Sequence, residues 1–131
     1  MSPQRIQLRR TAGWRKPEGA IVVSRPTRFG NPYRIDVHDV AGMAVIRGPW
    51  QDKYPGAPYL LDEITDIVPI ADARRTATER YRAWLHGDSL AAANTRREAL
   101  RLLRGHDLAC WCPPDDACHV DPLLQFVNGA R

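Results

Sequence analysis

Apolar positions along the chain fall into short runs with two different periods. From Arg5 to Arg9 (RIQLR) apolar and polar residues alternate, which puts Ile6 and Leu8 on one face of a half-buried strand. Ala20 to Ser24 (AIVVS) is instead a continuous β-branched run, the pattern of a strand buried on both faces. The TAGWRKPEG segment between them is rich in turn formers and reads as a loop. Helical spacing begins after Asp72, a suitable N-cap, and sets Tyr81, Trp84 and Leu85 on one side before Gly87 ends the helix near His86. Thr95 and Glu98 have the spacing of a capping box, so a second helix is expected through Leu100, Leu102 and Leu103, stopping at Gly105. Leu108 to Trp111 is an apolar strand. After it, Asp121 and the first-turn proline Pro122 open a closing helix with Leu123, Leu124, Phe126 and Val127, which Gly129 terminates.

Residues 33–71 are the most weakly patterned. Gly48 to Pro58 holds three prolines and two glycines, which exclude a helix or a central strand there. Edge strands are expected near Met43 to Ile46 and near Ile64 to Val68. The order two strands, insertion, two helices, strand, helix predicts a single α/β layered domain. Its short mixed or parallel sheet would be flanked by three helices, with an irregular insertion at about 33–71. A length of 131 residues with 44% hydrophobic side chains suits one such domain. No apolar run is long enough for a membrane span, and the start MSPQRIQLRR lacks the apolar region of a secretion signal, so a cytoplasmic protein without membrane contact is expected.

Charge changes the picture through its distribution more than through the net +4. Residues 1–34 carry eight basic side chains against the single acid Glu18, residues 35–72 are net acidic, and the remainder is mildly basic. A local cluster of arginines attracts a phosphate-bearing partner, either nucleic acid or a small nucleotide-like anion. Arginine outnumbers lysine 17 to 2, part of which coding bias explains.

Two segments carry residue types suited to chemistry. Ser24-Arg25-Pro26-Thr27-Arg28-Phe29-Gly30-Asn31-Pro32 follows directly on the second strand, and in α/β sheets ligands meet the protein beyond the carboxyl ends of strands. Arg25 and Arg28 can pair with an anion, Ser24 and Thr27 can donate hydroxyl hydrogen bonds, Asn31 can orient a ligand, and Gly30 allows close backbone approach. Phe29 offers a flat face for a base or sugar. The plainer alternative is a surface turn, since Gly-Asn-Pro is ordinary turn chemistry.

The second segment is Cys110-Trp111-Cys112-Pro113-Pro114-Asp115-Asp116-Ala117-Cys118-His119. An odd number of clustered cysteines does not make a disulfide framework. On extended backbone Cys110 and Cys112 share a face and Trp111 points away. Three accounts stay open. Cys110, Cys112, Cys118 and His119 would bind zinc tetrahedrally, although the spacing differs from the usual knuckle. Alternatively Cys118 or His119 sits at a helix N-terminus, reactive or anion-binding without metal. In the third account the thiols are small buried hydrophobes.

Elsewhere the ordinary structural reading is preferred: Trp84 and Tyr81 as core, Trp14 and Trp50 as loop packing, His38, His86 and His106 as turn or helix-end residues. The pairs Arg74, Arg75 and Arg96, Arg97 read as solvated helix faces or phosphate contacts of low specificity.

Three motifs resemble those of a family of small bacterial and phage proteins that share a domain of unknown function. The first comprises Arg10, Gly13, Trp14, Arg15, Lys16 and Pro17; the second Arg25, Pro26, Thr27, Gly30, Asn31 and Pro32; the third Leu108, Cys110, Trp111, Cys112, Cys118 and His119. The resemblance brings no established activity. It implies that the loop and the cysteine cluster belong to one recurring site, and that the stretch from Tyr33 to Ile70 is a member-specific insertion.

The functional expectation is therefore a cavity in which Arg25 and Arg28 neutralise a phosphate-bearing, nucleotide-like ligand and Phe29 or Trp111 stacks on its base. Hydrolysis or group transfer would use His119 or Asp121 as general base or Cys118 as nucleophile. The competing expectations are a zinc-stabilised nucleic-acid-binding module and a phage or host interaction protein using residues 48–58 as its contact surface.

Overall fold

In the computed structural model, residues 2–25, 27–49 and 63–129 are described. Among these residues the strands come in the order β1 (Arg5–Gln7), β2 (Ile21–Val22), β3 (Arg34–Val37), β4 (Met43–Arg47), β5 (Ile64–Pro69) and β6 (Leu108–Cys110). Three α-helices, α1 (Ala73–Leu85), α2 (Leu90–Leu102) and α3 (Val120–Asn128), complete a mixed α/β domain. A 3-10 turn, Ile70–Asp72, leads into α1.

The strands form two separate small sheets. One is parallel, in the order β1-β6-β2, and the other antiparallel, in the order β3-β4-β5. The last strand in the chain is thus the centre of the parallel sheet. Its residues Leu108, Ala109 and Cys110 are all buried, as a strand flanked on both sides requires. Ile21 and Val22, expected at a doubly buried position, instead form an edge ladder with Leu108 and Ala109 and are only partly buried. Its short pairing is extended by Val23 N–H donating to the Ala109 carbonyl at 2.9 Å.

Within residues 33–71 the described residues form the antiparallel sheet, which includes the two strands expected near Met43 to Ile46 and Ile64 to Val68. Met43–Arg47 is its central strand, not an edge, because β3 and β5 pair with it on either side. Strand β3, not expected from the sequence, is only four residues long, and its apolar Ile35 and Val37 are exposed. The proline-rich stretch lies outside the described residues beyond Pro49, as does Trp50.

Helix α1 turns Ala73, Ala77, Tyr81, Trp84 and Leu85 inward at helical spacing. It packs on the antiparallel sheet and against both other helices. Asp72 precedes it as expected, but its carboxylate accepts from Arg75 instead of capping a backbone N–H. Helix α2 begins five residues earlier than Thr95. Ser89 Oγ caps it by accepting from Ala92 N–H at 3.0 Å, and the alanines that follow are strong helix formers. Helix α3 starts one residue before Asp121, with His119 at the N-cap position, and ends at Gly129, whose φ of 82° lies in the left-handed region. The core joins both sheets to the helices through Val23, Ile46, Tyr81, Leu103, Leu108 and Leu123. No helix among the described residues is long and apolar enough to cross a membrane.

Candidate functional site

Parallel strands point their carboxyl ends the same way, so β2 and β6 deliver their following loops to one edge of the sheet. From β2 comes Ser24 to Pro32, and from β6 comes the cysteine segment, which runs to the start of α3. A cavity of about 350 Å³ opens there. Ser24, Arg25 and Asn31 from the first loop, and Cys110, Trp111 and Cys112 from the second, line it together. Cys118 and His119 reach it from the approach to α3, while Arg74 and Thr78 reach it from α1. Two segments about 85 residues apart along the chain therefore share one wall.

The three thiol sulfurs all lie within 4.8 Å of one another. The Sγ atoms of Cys110 and Cys118 are 3.3 Å apart. β6 ends at Cys110, and a bend at Trp111 and Cys112 brings the third thiol to the other two. Hydrogen bonds from the thiols of Cys110 and Cys118 hold the Cys112 thiol far below its usual pKa, with Arg74 adding to the effect. Bonding to Cys110 and Cys112, together with burial, pushes the Cys118 thiol up. Three thiols this close could hold a metal ion.

His119 stays outside that trio. Its Nε2 donates to the Val23 carbonyl at 2.8 Å, and its Nδ1 faces Cys118 Sγ at 3.6 Å. Tyr81 packs edge-on against its ring, with centroids 5.4 Å apart. Burial lowers its pKa, with the Val23 carbonyl opposing the shift in part, so the imidazole is held neutral.

Several expected ligand residues do other work. Phe29 is 5% exposed and belongs to the core, where it cannot stack on a base. Arg28 turns outward to an ion pair with Glu98 at 2.8 Å and does not line the cavity. Thr27 also lies off the cavity wall, with its Oγ1 buried and without a partner. Asn31 lines the wall, but its amide donates to the Ala77 carbonyl and its Oδ1 accepts from Tyr33 N–H, tying the loop to α1 and to its own continuation. Gly30 serves close approach as expected, although toward Arg25 and not a ligand: a Cβ there would meet Arg25 Cγ at 2.6 Å. Asp121 accepts from Arg5 at 2.9 Å and lines a separate depression with Arg5, Gln7 and Pro114.

Trp111 is 44% exposed, and the Arg10 guanidinium stacks over its ring 4.5 Å from the centroid. Arg10, from the first motif, is thereby brought to the edge of the same site.

Arg5 and Arg74 were missed as site residues. Arg5, on the strand beside β6, donates to the carbonyls of Pro113 at 2.6 Å and Asp116 at 2.9 Å. It fastens the loop between Cys112 and Cys118. Arg74 bonds Asp116 at 2.8 Å from the opposite side. The charge in the RIQLR strand is the hint of the first, and the second is legible only as part of the Arg74, Arg75 pair read as a solvated helix face or a phosphate contact of low specificity.

Fold and site together define a small α/β domain with a three-thiol cluster at the mouth of an arginine-lined cavity. The chain belongs to the family described as a domain of unknown function, DUF4326, which matches residues 6–129. No curated protein and no solved structure matches it significantly.

Proposed function

We propose that the cavity binds a phosphate-bearing, nucleotide-like small molecule and that the three thiolates hold zinc beside it. The observation that carries this reading is the convergence of Arg25, Arg74, Trp111 and the cysteine trio on one cavity wall. Arg25 is the anion partner, because its side chain makes a single 3.5 Å hydrogen bond, to the Tyr33 carbonyl, which leaves donors for a ligand. Trp111 supplies the stacking face in place of Phe29. Zinc fits a donor set of three soft sulfurs, and once bound it would polarise a phosphoryl oxygen or a water, the chemistry of hydrolysis or group transfer. The geometry does not favour Cys118 as a nucleophile, since it is 2% exposed and its thiol is pushed toward the protonated form. Nor does it favour Asp121 as a base, because its carboxylate belongs to Arg5. His119 is best read as a positioning residue that sets Cys118 against Val23.

A second reading, a zinc-stabilised nucleic-acid-binding module, draws on the eight basic side chains of residues 1–34. Metal analysis and binding separate the two. The first reading expects stoichiometric zinc and saturable binding of nucleoside 5′-monophosphates that changes little between low and moderate salt. Steeply salt-dependent binding of oligonucleotides of any sequence, with no monophosphate binding, favours the second.

A further inference from the structure

We infer that the cysteine trio forms an open metal centre: the protein supplies three ligands, and the fourth position faces the cavity, where an oxygen of an anionic ligand completes the tetrahedron. This rests on the zinc and ligand reading above and goes beyond it by joining metal and ligand directly.

Ligand geometry is the first argument. Zinc–thiolate bonds of about 2.3 Å put tetrahedral sulfurs about 3.8 Å apart. Cys110 and Cys118 at 3.3 Å, and all three sulfurs within 4.8 Å, need only small adjustments to meet that spacing. A fourth ligand from the chain is the difficulty. His119 does not lie within the same limit of all three sulfurs: its Nδ1 is 3.6 Å from Cys118 Sγ, and its Nε2 donates to Val23. The nearby carboxylates are committed as well, Asp116 to Arg74 and Asp121 to Arg5. Among the described residues no fourth His, Cys, Asp or Glu donor lies within 4.8 Å of all three sulfurs.

Access is the second argument. Cys110, Cys112 and Cys118 all line the cavity, so a metal among them borders open space. Structural zinc sites are closed by four protein ligands, whereas three protein ligands with one exchangeable position mark sites that bind or transform a ligand.

Charge is the third argument. A divalent ion with three thiolates carries a net charge of −1, which repels an anionic fourth ligand unless cations stand nearby. Arg25 and Arg74 stand on the same cavity wall. Arg5, on β1, holds the loop between Cys112 and Cys118 by donating to the carbonyls of Pro113 and Asp116. A phosphate oxygen is thereby accepted where a bare anion on an isolated zinc–trithiolate centre would be disfavoured.

The test uses the full chain loaded with cobalt(II) under reducing, oxygen-free conditions. One cobalt per chain with sulfur charge-transfer bands and strong tetrahedral d–d absorption is expected. Azide and orthophosphate, added separately, should shift the d–d bands without releasing cobalt. Replacing Arg25→Met should raise the orthophosphate concentration at half-shift about tenfold. His119→Gln, which keeps a donor for Val23, should leave the starting spectrum in place. Absence of cobalt binding overturns the inference, as do d–d bands indifferent to both anions or a spectrum lost in His119→Gln, since the last two describe a centre closed by the histidine. Calorimetry with nucleoside monophosphates on the zinc-loaded chain keeps the two claims apart: nucleotide binding with indifferent cobalt bands sinks the open centre alone, and anion-sensitive bands without nucleotide binding sink the ligand reading alone.

Discussion

His119 Nε2 lies 2.8 Å from the carbonyl oxygen of Val23, which ties the start of α3 to the end of β2. A carbonyl can only accept, so the proton sits on Nε2 and the lone pair on Nδ1, directed at Cys118. Removing the ring strands a buried acceptor and leaves a void beside Tyr81. His119→Ala should therefore cost about 2–3 kcal/mol of stability. His119→Gln should recover part of that loss, as read from urea unfolding midpoints. Equal midpoints for the alanine variant and the native chain would contradict the role given to this bond.

Gly30 permits Arg25 to stand where it does. A Cβ at Gly30 would lie 2.6 Å from Arg25 Cγ and 3.0 Å from its backbone N and Cα, and the backbone atoms cannot swing aside. Gly30→Ala should displace Arg25 and weaken nucleoside monophosphate binding about tenfold, roughly 1.4 kcal/mol. Calorimetric titration checks it, and unchanged affinity would remove Arg25 from the ligand site.

Much of this site was legible in the sequence, for local reasons. The close spacing of Cys110 and Cys112 keeps both thiols together, although a bend after β6 rather than strand alternation does so, and the turn chemistry of Gly30-Asn31-Pro32 marks a loop after an apolar strand. What escaped depends on distant pairing. That β6 lies between β1 and β2 is a property of the whole chain, and only that order brings Arg5 onto the cysteine loop. Phe29 illustrates the same limit, because an aromatic ring in a loop can be a stacking platform or an anchor, and packing decides which. Helix α2 was placed late because Thr95 and Glu98 match a cap box, while the actual cap, Ser89, lacks the matching acid three residues on.

Asp66 on β5 and Arg80 on α1 meet through two hydrogen bonds, 2.7 and 2.9 Å long. The Arg80 guanidinium, helped by Thr65, holds the Asp66 carboxyl below its ordinary pKa. A carboxylate with a depressed folded pKa stabilises the fold above its unfolded value, and that contribution is lost as pH falls through the folded one. Asp66→Asn should thus cost about 0.5–1 kcal/mol near neutrality, the size of a partly exposed ion pair. The gap to the native chain should close in the acid range. A gap that is constant with pH would contradict the assignment.

Tyr81 is fully buried, and its hydroxyl has no hydrogen-bond partner. Deleting that hydroxyl leaves the ring contacts with Trp84 and His119 in place. Tyr81→Phe should leave stability unchanged or raise it by up to about 1 kcal/mol. A clear loss in chemical denaturation would mean that the hydroxyl has a partner in solution.

The central claim is that two distant segments form one ligand site. Amide chemical-shift mapping of the zinc-loaded, isotopically labelled chain, titrated with the four nucleoside 5′-monophosphates, tests it most directly. The account predicts saturable shifts with at least one of them, in Ser24 to Asn31 and in Cys110 to His119 together, with a common affinity. Shifts confined to the basic residues before Ala20, or no saturable shift with any monophosphate, would contradict it.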